Sequence, residues 1–239
     1  VKRIVNIDEK NQKVYFISNK ETVFENRFYS VNFDGTDLKL LTKDTGSHSI
    51  RMFPQLDGFI DSYSSIDIPT RHLAKDISGN TILTIKETNK SQFEAYDWSY
   101  PKIIQFESTD ESTSLDGIIT YPPNFKRGVR YPVIVHGYGM PGTQIVYNRW
   151  GSTWNQYLAQ QGYIVFSMDA RGMSGRGEEF KNLSYGDMAK YLSSDTAAGV
   201  RHLIDSGIAD PDRIGAWGWS GGGYFTGLML TKNADLFDV

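Results

Sequence analysis

The spacing of apolar residues changes its rule once along this 239-residue chain. Up to about residue 89, short runs rich in β-branched and aromatic side chains, separated by turn clusters, predict strands over residues 13–18, 27–33 and 38–42. The Asp34-Gly35 pair between the last two is a hairpin-type turn signal. The pattern then restarts, with strands expected over 50–53, 59–63, 70–74 and 81–85, broken at Asp57-Gly58 and at Ser78-Gly79-Asn80. Two units of about four strands, each about forty residues long, have the spacing of β-propeller blades. Two blades do not close a ring, because each blade buries its faces against its neighbours. A small β-sandwich fits the same pattern and stays open at this level.

From Pro101 onward strands alternate with helices. Residues 102–106 and 115–121 read as an antiparallel pair stopped by Pro122-Pro123, and 131–135 as a buried strand. Apolar residues recur at helical spacing over 150–161, a strand follows over 162–168, and a long helix spans 187–206 before Gly207. Residues 212–217, behind a Pro211-Asp212 turn, form the last apolar strand. This alternation predicts an α/β class with a mainly parallel sheet covered on both faces. The change of pattern falls within 88–101, giving an all-β part over 1–95 and an α/β part over 96–239.

Composition removes several classes of function. A formal net charge of −3 without a basic block points away from nucleic acid and anionic membrane as partners. The absence of cysteine excludes disulfides, thiolate metal sites and thiol catalysis. No apolar run is long enough to span a bilayer, and residues 1–6 lack the apolar core of a signal peptide. His48 and His72 have no partners at metal-ligand spacing, Glu178-Glu179 reads as a solvated face, and His202 as a packing or surface residue. Neither a metal nor a cofactor is expected.

The candidate chemistry lies in Gly218-Trp219-Ser220-Gly221-Gly222, a G-x-S-x-G run between the last strand and a glycine-opened helix over 221–230. In α/β-hydrolases this turn holds a nucleophilic serine on a strained backbone, and glycines flank it where neighbouring elements approach closely. The helix start adds N–H groups and a positive dipole end, both suited to a developing oxyanion. One donor is expected from the backbone N–H of Gly221, the other from the Gly-rich loop that follows His136. His136 itself is not expected to be the base, because the triad in this fold runs in the order Ser, Asp or Glu, His. No histidine follows His202, so the activating Asp and His are expected beyond Val239 and the chain alone is expected to be inactive. Asp169-Ala170-Arg171-Gly172 follows a strand's carboxyl end, where it either contacts substrate or locks its loop through an Asp169–Arg171 pair.

Residues 131–135, Tyr138-Gly139-Met140-Pro141-Gly142, Asp169-Ala170-Arg171-Gly172, Gly175-Arg176-Gly177 and Asp212-Arg213-Ile214-Gly215 leading to Ser220 occur in one order. Together they resemble the dipeptidyl peptidase IV family of serine peptidases, within the prolyl oligopeptidase group. Asp34-Gly35, Leu41-Thr42 and Gly46-Ser47-His48 resemble the last propeller blades that precede the hydrolase domain in that family. The resemblance implies a parent enzyme that releases N-terminal dipeptides of the Xaa-Pro or Xaa-Ala type, with Ser220 as nucleophile. It implies Tyr138 as a side-chain oxyanion donor beside the Gly221 amide; Trp219 and Arg171 are the candidate substrate-binding residues, and a homodimer in a periplasmic or extracellular setting rather than the cytoplasm is expected of the intact protein. Two departures stand out: Gly221 replaces a tyrosine frequent in the family, and Met140 replaces a usual glycine. Another peptidase of the group, an esterase, or a non-catalytic binding module are the alternatives.

Overall fold

The computed structural model describes residues 1–239, apart from the side chain of Glu94. The chain divides into two compact units, one formed by 1–95 with 147–150, the other by 96–146 with 151–239. Each is built around its own apolar cluster.

The first unit holds two four-stranded antiparallel meanders. One runs β1 (Arg3–Asp8), β2 (Lys13–Ser18), β3 (Arg27–Asn32) and β4 (Lys39–Leu40); the other runs β5 (Ser47–Met52), β6 (Gly58–Ser64), β7 (Arg71–Asp76) and β8 (Thr81–Glu87). Tyr15, Ile17, Phe28, Leu41, Ile50 and Phe59 form the buried cluster, and Phe28 meets Phe59 edge-on at 4.9 Å. β1 is a strand that the apolar spacing does not predict: it carries a bulge between Ile4 and Asn6, and Ile4 and Ile7 remain exposed. A short helix, α1 (Ser91–Glu94), follows β8. His48 is buried, its Nδ1 2.9 Å from the buried carboxylate of Asp61, which also pairs with buried Lys75 at 3.0 Å. His72 meets the Ser62 hydroxyl at 2.8 Å. Both histidines are thus internal structural groups.

Residues 147–150 complete the first unit. The Asn148 N–H donates to the Phe24 carbonyl at 2.9 Å, and its side chain donates to Glu25 at 2.7 Å while accepting from the Ile66 N–H at 3.0 Å. The predicted helix over 150–161 accordingly starts later, at α2 (Thr153–Gln160), where the Ser152 hydroxyl accepts from the Trp154 N–H.

The second unit contains a five-stranded sheet in the order β13-β11-β12-β10-β9, from β9 (Lys102–Glu107), β10 (Ser114–Thr120), β11 (Tyr131–His136), β12 (Ile164–Asp169) and β13 (Ala209–Trp217). β11 runs parallel to β12 and β13, whereas β10 pairs antiparallel with both β9 and β12. Every residue of β12 is buried, as a strand covered on both faces must be. α2 connects β11 to β12, then α3 (Glu178–Asn182) and α4 (Met188–Asp205) lead from β12 to β13 on the far side of β11, and α5 (Gly221–Lys232) follows. The Asp187 carboxylate caps α4 by accepting from the Ala189 and Lys190 N–H groups. Because the two successive connections leave β11 on opposite sides, a topological switch point lies at the carboxyl ends of β11 and β13. Open α/β sheets bind their ligands at such points. The fold is thus one of propeller-type blades followed by an α/β-hydrolase sheet.

Candidate active site

The turn between β13 and α5 places Ser220 at φ 57° and ψ −115°, a region that side-chain-bearing residues avoid at a cost of about 1–3 kcal/mol. Two backbone bonds hold it there, from the Gly222 N–H to the Trp219 carbonyl and from the Gly223 N–H to the Ser220 carbonyl, each 2.8 Å. Ser220 is exposed, and its side chain makes no capping bond to α5, which leaves the hydroxyl for chemistry. The close approach behind the turn needs glycine: a Cβ at Gly218 would lie 2.4 Å from the Gly137 carbonyl oxygen.

The loop after β11 runs alongside this turn. Its Gly137 N–H donates to the Trp217 carbonyl at 3.0 Å, extending the β11–β13 ladder by one step. A Cβ at Gly137 would collide with the Phe225 ring at 2.4 Å, and one at Gly139 with Leu192 at 2.5 Å. These two positions therefore lie flat on α5 and α4, and the residues between and after them turn the other way. Tyr138 brings its Cζ to 3.2 Å from where a Cβ on Gly221 would sit. The phenol is thereby held next to the first turn of α5, whose leading N–H groups have no intrahelical acceptor. Ser220, Gly221 and Tyr138 are brought together.

Trp219 is 82% exposed on the turn. Arg171 is elsewhere in kind: it is buried, with Nε and Nη2 on Asp195 at 3.0 and 2.6 Å, Nη1 on Asp110 at 2.8 Å, and its plane 4.3 Å from the Tyr191 ring. All three guanidinium nitrogens are committed to protein groups. The expected Asp169–Arg171 lock is replaced by this pairing. The Asp169 carboxylate instead accepts from the Ile145 and Val146 N–H groups at 2.6 and 3.2 Å. The Arg171 guanidinium, aided by the Ser108 and Ser112 hydroxyls, holds the Asp110 carboxyl well below the usual carboxylate range. The sequence reading does not single out Asp195 or Asp110; a carboxylate three residues after Leu192 and four before Gly199, on the buried face of α4, is the signal that marks one of them.

His136, at the end of β11, is half-buried against the Trp217 ring at 4.6 Å. Burial pushes its imidazole below the ordinary histidine value, partly offset by the neighbouring Asn155 side chain. His202 stacks on Phe106 at 5.7 Å. Among the described residues no histidine hydrogen-bonds the Ser220 hydroxyl, and no cluster of three metal-ligating side chains occurs. No described helix is long and apolar enough to cross a membrane.

Comparison with known proteins agrees with this geometry. Residues 1–70 match the dipeptidyl peptidase IV N-terminal region, and residues 150–239 match the prolyl oligopeptidase family. A probable dipeptidyl-aminopeptidase B of Botryotinia fuckeliana is 32% identical over 95% of this chain and 25% of its own length. A probable dipeptidyl peptidase 4 of Aspergillus flavus is 28% identical over all of this chain and 32% of its own. The crystal structure of Porphyromonas gingivalis dipeptidyl peptidase 4 superposes with a TM-score of 0.92 at 26% identity, over 98% of this chain and 33% of that one. The chain thus spans a quarter to a third of the relatives it matches. Blades, hydrolase sheet and serine turn together match the dipeptidyl peptidase IV family, within the prolyl oligopeptidase group, in the same order along the chain.

Proposed function

We propose that the intact protein is a serine peptidase that removes dipeptides from peptide N-termini, with proline or alanine before the cleaved bond. The observation that carries this reading is the strained Ser220 backbone at the head of α5, with the Tyr138 ring alongside. The names of the relatives support it.

In this reading Ser220 Oγ attacks the scissile carbonyl carbon and gives its proton to a general base. The carbonyl oxygen becomes an oxyanion, which accepts from the Gly221 N–H and the Tyr138 hydroxyl. Collapse expels the amine, which leaves with the proton from the base, and an ester links the dipeptide to Ser220. Water then cleaves that ester by the same steps, releasing the dipeptide and restoring the serine. His136, which packs on Trp217, is not that base, because chain order in this fold puts the Asp and His of the triad after the serine. Trp219 lines the substrate side of the turn, and Arg171 acts through Asp195 and Asp110 as a brace.

The test is to treat the full-length protein with a fluorophosphonate and locate the adduct by mass spectrometry. Labelling at Ser220 is expected, and an adduct at any other residue refutes the nucleophile. Xaa-Pro and Xaa-Ala anilides should then be cleaved in preference to single-residue anilides and short-chain esters.

A further inference from the structure

Met140 and Gly221, far apart in sequence, meet in space. An ideal Cβ on Gly221 would lie 2.5 Å from Met140 Cγ and 3.3 Å from its Sδ. Any side chain at 221 therefore requires the Met140 side chain to move from its present position. The backbone of Met140 is fixed by a tight turn: the Thr143 N–H donates to the Met140 carbonyl at 3.2 Å, Pro141 occupies the second position, and Gly142 the third at φ +84°. That combination is a type II turn, in which the third residue needs positive φ. Gly139, lying on Leu192, holds the other flank. The half-buried thioether of Met140 is thus aimed at the residue that follows the nucleophile.

We propose that Met140 is a specificity-determining residue of the Ser220 site: its side chain fills the space over Gly221 and limits the size of the substrate residue held before the scissile carbonyl. The proposal rests on the serine peptidase reading above. A thioether is flexible and apolar, so the wall it forms favours small apolar substrate side chains and yields more readily than a ring would.

The experiment uses full-length protein carrying Met140→Gly, Met140→Leu, Gly221→Ala, and Gly221→Ala with Met140→Gly. The kcat/KM values are measured for dipeptidyl anilides with alanine or leucine before the cleaved bond, with fluorophosphonate labelling of Ser220 in parallel. Met140→Gly should raise the leucine-to-alanine ratio about tenfold or more, and Met140→Leu should leave it within about twofold. Gly221→Ala should lower activity and melting temperature, and adding Met140→Gly should restore both. If wild-type Ser220 labels but the ratio does not move in Met140→Gly, or the loss in Gly221→Ala is the same with and without Met140, the Met140 assignment falls alone. If wild-type Ser220 does not label, the peptidase reading falls and takes this assignment with it.

Discussion

Replacing Asp195 by alanine should destabilise the α/β unit more than any other single change near Arg171. Asp195 is fully buried and Arg171 is 5% exposed at its side chain. The carboxylate accepts from Nε, from Nη2 and from the Arg171 backbone N–H at 2.9 Å. Its loss leaves a buried guanidinium with only Asp110 and Ser112 for partners, and leaves a buried N–H without an acceptor. Breaking one side of a buried pair typically costs about 3–5 kcal/mol. The lost backbone acceptor places the expected value in the upper half of that range. Asp195→Asn, which keeps an acceptor but removes the charge, should fall between wild type and Asp195→Ala. Asp110→Ala should cost much less, since Asp110 is about half exposed and solvent screens its charge. The assay is urea unfolding of the full-length protein with each variant, compared at matched slope. Arg171→Met with Asp195→Leu should recover part of the loss, because an apolar pair removes both buried charges. A loss for Asp195→Ala of under about 1 kcal/mol, or one equal to that of Asp110→Ala, would refute the brace.

Three further outcomes follow from the same structure. Tyr138→Phe should lower kcat about 10²–10³-fold on an Xaa-Ala anilide without shifting the melting temperature, and a drop under about tenfold would remove the phenol from the oxyanion site. Ser220→Gly should melt above Ser220→Ala, because relief of about 1–3 kcal/mol of backbone strain exceeds the roughly 0.5–1 kcal/mol that glycine loses in the unfolded chain; the reverse order would show that the turn is unstrained. The Asp110 carboxyl is held below its ordinary value of 3.8 by Arg171, so its contribution is complete above about pH 4 and is lost as pH falls through the lower folded value. The gap between the thermal melts of wild type and Asp110→Asn should therefore narrow steadily as pH falls below about 4, and a constant gap would contradict the pairing.

Much of this was legible in the residues because local rules and tertiary structure agree. Residues 13–18 form a β-branched and aromatic run, pair with β3 and bury Tyr15, Phe16 and Ile17, so composition and burial tell one story. The G-x-S-x-G run sits between a strand and a helix, where the strained φ of Ser220 is required rather than tolerated. What was missed depends on distant partners. β1 leaves Ile4 and Ile7 exposed, so no alternation announces it. Asn148 finds Glu25 across 123 positions of chain, and Arg171 finds Asp195 rather than its near neighbour Asp169. Hydropathy carries no information on which carboxylate a guanidinium will meet. The Met140 departure was visible as an odd letter, but its fit over Gly221 appears only when two loops are folded together.

The loop over Phe225 and Leu192 also sets a rule about length. Gly137 and Gly139 lie on the helices, while Tyr138 and Met140 face the serine turn, so the strip alternates like a strand although it forms none. Inserting or deleting one residue between His136 and Met140 would exchange the two faces, driving the phenol toward a helix surface that has no room for a Cβ. Position 140 on this strip can change its side chain without a helix in the way, whereas 137 and 139 have no room for a Cβ, and the residue count of the strip is fixed. Among descendants of this sequence, substitutions at 140 should therefore go with a change in substrate size preference, and single-residue gaps before it should coincide with loss of Ser220.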